Sequence, residues 1–270
     1  MNFKVLTLST YANDILEENN HGIVHSIYRN TINVSIDKKL LAIQTQDSPL
    51  SPISLITNLD TEQLGKLPVA VGDSIIIPKD SCNQVINLSP VLPFSKQHCQ
   101  ELFMKIRRSI ITSNTQGFDL IFQFSDLVNN NLMLSTARNK MESAFHFYQK
   151  RNYENTAREL SKLIGLGLGL TPSGDDFLCG MLAGFHLLDR NNHTFTKCLF
   201  HYINDNLNNT NDISRAFLNC ALHGHYSQAV NKLWTNPSCE QISQMFLEIG
   251  HSSGMDTLCG IYFAYLLCNN

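Results

Sequence analysis

The chain has 270 residues, of which 43% are hydrophobic and 16% charged, and its formal net charge is -3. That apolar content supports a sizeable core and excludes wholesale disorder, and the length suits one large domain or two modest ones. No basic cluster exceeds Lys105, Arg107 and Arg108, so the charge pattern excludes a nucleic-acid binder.

Targeting and redox text are equally plain. The longest apolar runs, such as 261–268, fall well short of the roughly 20 residues that cross a bilayer. The N-terminal text MNFKVLTLSTYAND has one Lys and a broken apolar stretch, so no signal peptide is expected. The eight cysteines include no CxxC pair, and Cys179, Cys198, Cys220, Cys259 and Cys268 lie in apolar, helix-like text. They read as reduced core residues of a cytoplasmic protein. His223-Gly224-His225 reads as a helix end rather than a metal site. No metal and no cofactor are expected.

In chain order, the first third is β-rich. The stretch 22–36 has partial alternation at Ile23, His25 and Ile27 and again at Ile32, Val34 and Ile36; 39–44 and 69–77 are similar. Turn text separates them at 37–39, 47–52, 72–73 and 78–80. A small antiparallel sheet or barrel is predicted. The segment 88–95, with Pro90 and Pro93, reads as a linker. Helical text follows over 95–111, 138–149, 153–164, 175–188, 193–207, 212–222, 228–234, 240–249 and 255–268, while 112–134 resists assignment. The fold class is therefore α+β, with a β-rich domain over 1–92 and an α-helical domain over 93–270. No strand alternates with the helices as a Rossmann sheet requires.

The most informative text is GLGLGLTPSGDDFLCGMLAG, residues 165–184. Gly165, Gly167 and Gly169 alternate with leucines, so the backbone can bend and a ligand can approach its peptide groups. Thr171-Pro172 leads into Ser173, a candidate N-cap, with Asp175 and Asp176 in the first turn. Phe177, Leu178, Met181, Leu182, Phe185 and Leu188 form an apolar stripe, and Gly180, Ala183 and Gly184 a small-residue face. Eighty residues on, Ser253-Gly254-Met255-Asp256-Thr257-Leu258-Cys259-Gly260 repeats six of the eight residues of 173–180. The two helices are expected to pack through Gly180 and Gly260, with Asp176 and Asp256 facing one cavity. Helix N-termini and free loop N–H groups favour anions. Carboxylates at the same mouth favour the N–H groups of an amide. The candidate binding set is Gly167, Gly169, Thr171, Ser173, Gly174, Asp175, Ser253, Gly254 and His25; Asp176, Asp256 and His251 are the candidate catalytic groups. His251, just ahead of the second helix, could exchange a proton or contact an anion near neutral pH. Ser135-Thr136-Ala137-Arg138 departs from the Ser-Thr-Arg-Thr loop of aspartate and ornithine carbamoyltransferases by an inserted Ala, and reads as a helix N-cap.

The block 167–178, together with Gly250-His251-Ser252-Ser253-Gly254-x-Asp256 and Val24-His25-Ser26, resembles the AllH-like family over nearly the whole chain. Members have carried the labels domain of unknown function and carboxylase, and one is regarded as a subunit of oxamate carbamoyltransferase in anaerobic allantoin breakdown. The resemblance implies a carbamoyltransferase subunit: oxalurate and phosphate would give oxamate and carbamoyl phosphate. It implies partner subunits as well as a small anionic substrate. The Asp pair could accept from ureido N–H groups. The alternatives are a non-catalytic structural or regulatory subunit whose glycine turn only packs helices, or a small-anion-binding protein of another kind.

Overall fold

In a computed structural model of the chain, residues 3–78, 82–89 and 96–269 are described. They fall into two compact units, one of residues 1–89 with 225–228, the other of 90–224 with 229–270. The linker expected over 88–95 and the turn over 78–80 lie largely outside the described residues.

The first unit opens with β1 (Val5–Ser9) and α1 (Thr10–Glu18). The Ser9 side chain caps α1 by accepting from Ala12 N–H. There follow β2 (His21–Tyr28), β3 (Thr31–Ile36), β4 (Lys39–Gln44), β5 (Ser54–Thr57), α2 (Thr61–Gly65), β6 (Ser74–Ile76) and β7 (Gln84–Ile86). Among the described residues these strands form one sheet in the order β6-β2-β3-β4-β5-β1-β7. The β2–β3–β4 meander is antiparallel, as the sequence suggests, and Asp37 and Lys38, both at positive φ, make its tight second turn. The sheet is nevertheless mixed, because β4 pairs with β5, and β1 with β7, in parallel. Its middle strands bury Val34, Leu41, Ile43 and Leu55. Three-residue strands close both ends, which limits the free edge. The alternation at Ile23 and Ile27 marks an exposed face, since Val24 is the buried residue between them. The register shifts between Val24 and Ser26, so His25 occupies a β-bulge.

The second unit is helical. It comprises α3 (Lys96–Ile111), α4 (Asp119–Phe122), α5 (Leu132–Gln149), α6 (Tyr153–Ser161), α7 (Ser173–Leu187), α8 (Thr194–Asp205), α9 (Asp212–Leu222), α10 (Gln228–Lys232), α11 (Cys239–Leu247) and α12 (Ser253–Cys268). The α+β class of the chain follows. The helix α5 starts at Leu132 with Asn131 as its cap, so Ser135 lies inside the helix and is not the N-cap expected from the text. At the end of α9, Gly224 has φ +79° and His223 Nδ1 lies 2.8 Å from Asn219 O, the helix-end arrangement read from His223-Gly224. All eight cysteines are free thiols. Among the described residues, no helix is long and apolar enough to cross a membrane.

The core of this unit is the α7–α12 pair. Both helices are apolar nearly all round, and each is wrapped by others: α12 packs against α3, α4 and α11, and α7 against α9. Rings interlock where they meet, with Phe177 5.6 Å from Phe263 and 5.5 Å from Phe118.

Candidate functional site

The small-residue face read from the sequence is the crossing surface. A side chain at Gly180 would strike the backbone oxygen of Thr257, and one at Gly260 that of Phe177. Thr257 and Phe177 are themselves 80 positions apart, so the crossing is locally two-fold symmetric. Gly184 meets Ala264, the next equivalent pair.

The same near-symmetry brings the two helix starts together. Thr171 Oγ1 and Ser253 Oγ are 2.8 Å apart. Ser173 does not cap its own helix as expected, and neither does Ser253: Pro172 and Ser252 hold the N-cap positions, without side-chain cap bonds. Each first-turn serine serves the opposite helix, the Ser173 hydroxyl facing the Asp256 carboxyl and the Ser253 hydroxyl that of Asp176.

Asp256 is fully buried. Its Oδ1 accepts from Phe118 N–H at 2.6 Å. Burial pushes its pKa up to about 6; the Phe118 N–H and the Ser173 and Ser252 hydroxyls pull it down, and the Asp119 charge adds to the rise. Asp176 is half-buried as a residue, but its Oδ2 is shielded from solvent. Burial first, and then the Asp256 charge, hold its pKa well above the usual carboxylate range, against the Ser253 and Thr171 hydroxyls. The Oδ2 atoms of both aspartates have no hydrogen-bond partner among the described residues, and neither does Oδ1 of Asp119. Such orphaned acceptors are costly in a folded protein and call for an occupant or a proton.

Asp119 was not legible in the sequence. It is fully buried at the start of α4, and its Oδ2 accepts from Thr115 N–H at 3.2 Å. The available hint was an acid inside the apolar text Phe118-Asp119-Leu120-Ile121-Phe122. Gly117 beside it leaves the room that Asp256 Oδ1 occupies.

Other expected residues have packing roles. Gly174 N–H is bonded to Leu166 O at 2.8 Å, so it is no free donor, and a side chain there would strike Leu163 O. Asp175 is buried; it accepts from Gly165 N–H at 2.9 Å and from the Thr210 hydroxyl, fixing the loop to its neighbours. Gly254 lies against Phe246 O. The free part of the turn is its tip. Gly167 and Gly169 have φ of +138° and +97°, and the N–H groups of 167–171 have no backbone partner among the described residues. Leu168 at that tip is 92% exposed. His251 is exposed ahead of α12. His25 belongs to the sheet unit, with Nδ1 3.0 Å from Ser26 Oγ.

No solved structure matches the chain. Residues 4–93 match the AllH family N-terminal domain, and residues 163–265, which contain both helices and the glycine turn, match the family described as oxamate carbamoyltransferase subunit AllH. With most of its length accounted for by these two matches, the chain belongs to the AllH family.

Proposed function

We propose that this chain contributes a carbamoyl-transfer site at the paired starts of α7 and α12, acting together with other subunits. The observation that carries this reading is the pair of buried carboxyls with unpartnered Oδ2 atoms, held at the meeting point of two helix N-termini. A small anion such as oxamate or oxalurate would take the N–H groups of 167–171, with the exposed His251 as a second anion contact. Its amide or ureido group would meet the orphan oxygens of Asp176 and Asp256. A transfer reaction gains most from holding two anions in register and from N–H donors placed for the developing oxyanion. The description of the family as a subunit supports a hetero-oligomeric enzyme, and the free thiols support a reducing, cytoplasmic setting.

The test is a titration of oxamate into the full chain, alone and with its partner subunits, followed by amide NMR. Shifts confined to 167–171 and the first turns of α7 and α12 are expected. Saturable binding that leaves these signals unmoved would refute the site.

A further inference from the structure

We propose that Asp176 and Asp256 form an acid–base pair in the transfer: Asp176, as a carboxylic acid, delivers a proton to the departing oxamate nitrogen, and the Asp256 carboxylate removes the proton of the attacking phosphate oxygen. This rests on the reading that substrate sits at the starts of α7 and α12.

The two carboxyls occupy equivalent places in a near-symmetric crossing, but their surroundings differ. Asp256 accepts a backbone N–H, from Phe118 at 2.6 Å, and faces the hydroxyls of Ser173 and Ser252. A fixed N–H donor stabilises the charged form. Asp176 faces the hydroxyls of Ser253 and Thr171, and has Asp256 and Asp175 as like-charged neighbours. Ionising both would put two mutually repelling negative charges in a buried site, so one proton stays, and the surroundings put it on Asp176. Among the described residues, the Asp119 charge from α4 acts on Asp256, and the two carboxyls in turn act on the buried thiols of Cys179 and Cys259; none of these groups is cationic. Among the described residues, no three His, Cys, Asp or Glu side chains converge as metal ligands. The two orphan Oδ2 atoms thus fit an acid waiting for an acceptor and an anion waiting for a donor. Two carboxyls driven apart in proton affinity are the usual basis of paired acid and base roles.

The chemistry balances. A hydrogenphosphate oxygen bonds to the carbamoyl carbon of oxalurate, and the carbon–nitrogen bond to oxamate breaks. The electron pair of that bond goes to nitrogen, which takes the Asp176 proton, while Asp256 takes the phosphate proton. Passing that proton from Asp256 to Asp176 restores the pair, with no net proton consumed.

The test combines infrared spectroscopy of the full chain with steady-state kinetics of the assembled enzyme across pH. A carboxylic-acid carbonyl band is expected at pH 7, absent in Asp176→Asn. Removing the Asp256 charge, in Asp256→Asn, should move the titration of that band to lower pH. Asp176→Asn should lose kcat by on the order of 100-fold or more, with KM for oxalurate within a few-fold and the alkaline fall of kcat abolished. Asp176→Glu, which keeps an acid, should recover part of the rate. The absence of the band in the wild-type chain overturns the proposal, as does an Asp176→Asn enzyme with kcat within a few-fold of wild type. A rise in KM without loss of kcat also overturns the acid role, yet leaves the binding site standing; unmoved amides in the oxamate titration would instead sink the site itself.

Discussion

Gly260→Ala probes the crossing on which the candidate site depends. A Cβ built at Gly260 lies 1.9 Å from Phe177 O and 2.8 Å from Met181 N. An ordinary carbon–oxygen contact is about 3.3 Å at its closest, so the shortfall is roughly 1.4 Å. The atom struck is backbone in the middle of α7, which cannot rotate aside, so the helices must part. Overpacking of a core costs about 1–3 kcal/mol, and a gap of 0.5–1 Å forfeits about a quarter to a half of each dispersion contact along the seam. Alanine returns about 1 kcal/mol of helix propensity. The net loss is then about 2 kcal/mol, or about 4–8 °C in Tm for a unit of this size. Gly180→Ala, whose Cβ would lie 2.0 Å from Thr257 O, should cost a similar amount. Once one substitution has parted the helices, the second has less to disrupt, so the double variant should cost less than the sum. Thermal melts of the full-length variants followed by circular dichroism give these values. A Gly260→Ala chain that melts at or above the wild-type temperature would refute the close crossing, and strict additivity would refute the shared cause.

The pH dependence of stability has a defined sign. Asp256 has its pKa raised from 3.8 to about 6 on folding, so its contribution is fully present below about pH 4 and is lost as pH rises to about 6. The shift corresponds to roughly 3 kcal/mol. Asp256→Asn should flatten the denaturation free energy across that window; an unchanged slope in urea melts would contradict the burial assigned to this carboxyl. Asn211 caps α9 by accepting from Ile213 and Ser214 N–H at 3.0 Å each. Asn211→Ala should cost about 1 kcal/mol, seen as a Tm lower by about 2–4 °C; an unchanged melt would mean that the cap contributes nothing.

Much of this architecture was readable because long segments carry clean periodicity. The helix α9 runs over the residues expected, 212–222, and α7 and α12 differ from expectation by two residues or fewer at each end. The sheet was harder. The strand β5 has four residues, all buried, so it shows no alternation, and its parallel pairing with β4 uses a crossover over 45–53 instead of a tight turn. The helix α1 is not legible in the sequence although Ser9 caps it, because its apolar positions are few. At the site, the glycine faces and the paired aspartates followed from the 80-residue echo. The serine roles did not, because Ser173 looks like a cap in the text and only the crossing turns its hydroxyl toward the other helix. Asp119 opens, and Phe118 precedes as its N-cap, a four-residue helix too short to carry a period.

The most direct measurement is carbamoyl transfer by the assembled enzyme carrying the double substitution Asp176→Asn and Asp256→Asn in this chain. Asparagine keeps the size of each side chain, removing the acid proton of Asp176 and the charge of Asp256, so assembly and melting temperature should survive. A loss of at least about 100-fold in kcat in a complex that assembles and melts normally is the expected result. Full activity in the same complex would show that the carboxyls at the crossing take no part in the chemistry and that the chain serves the enzyme by packing alone.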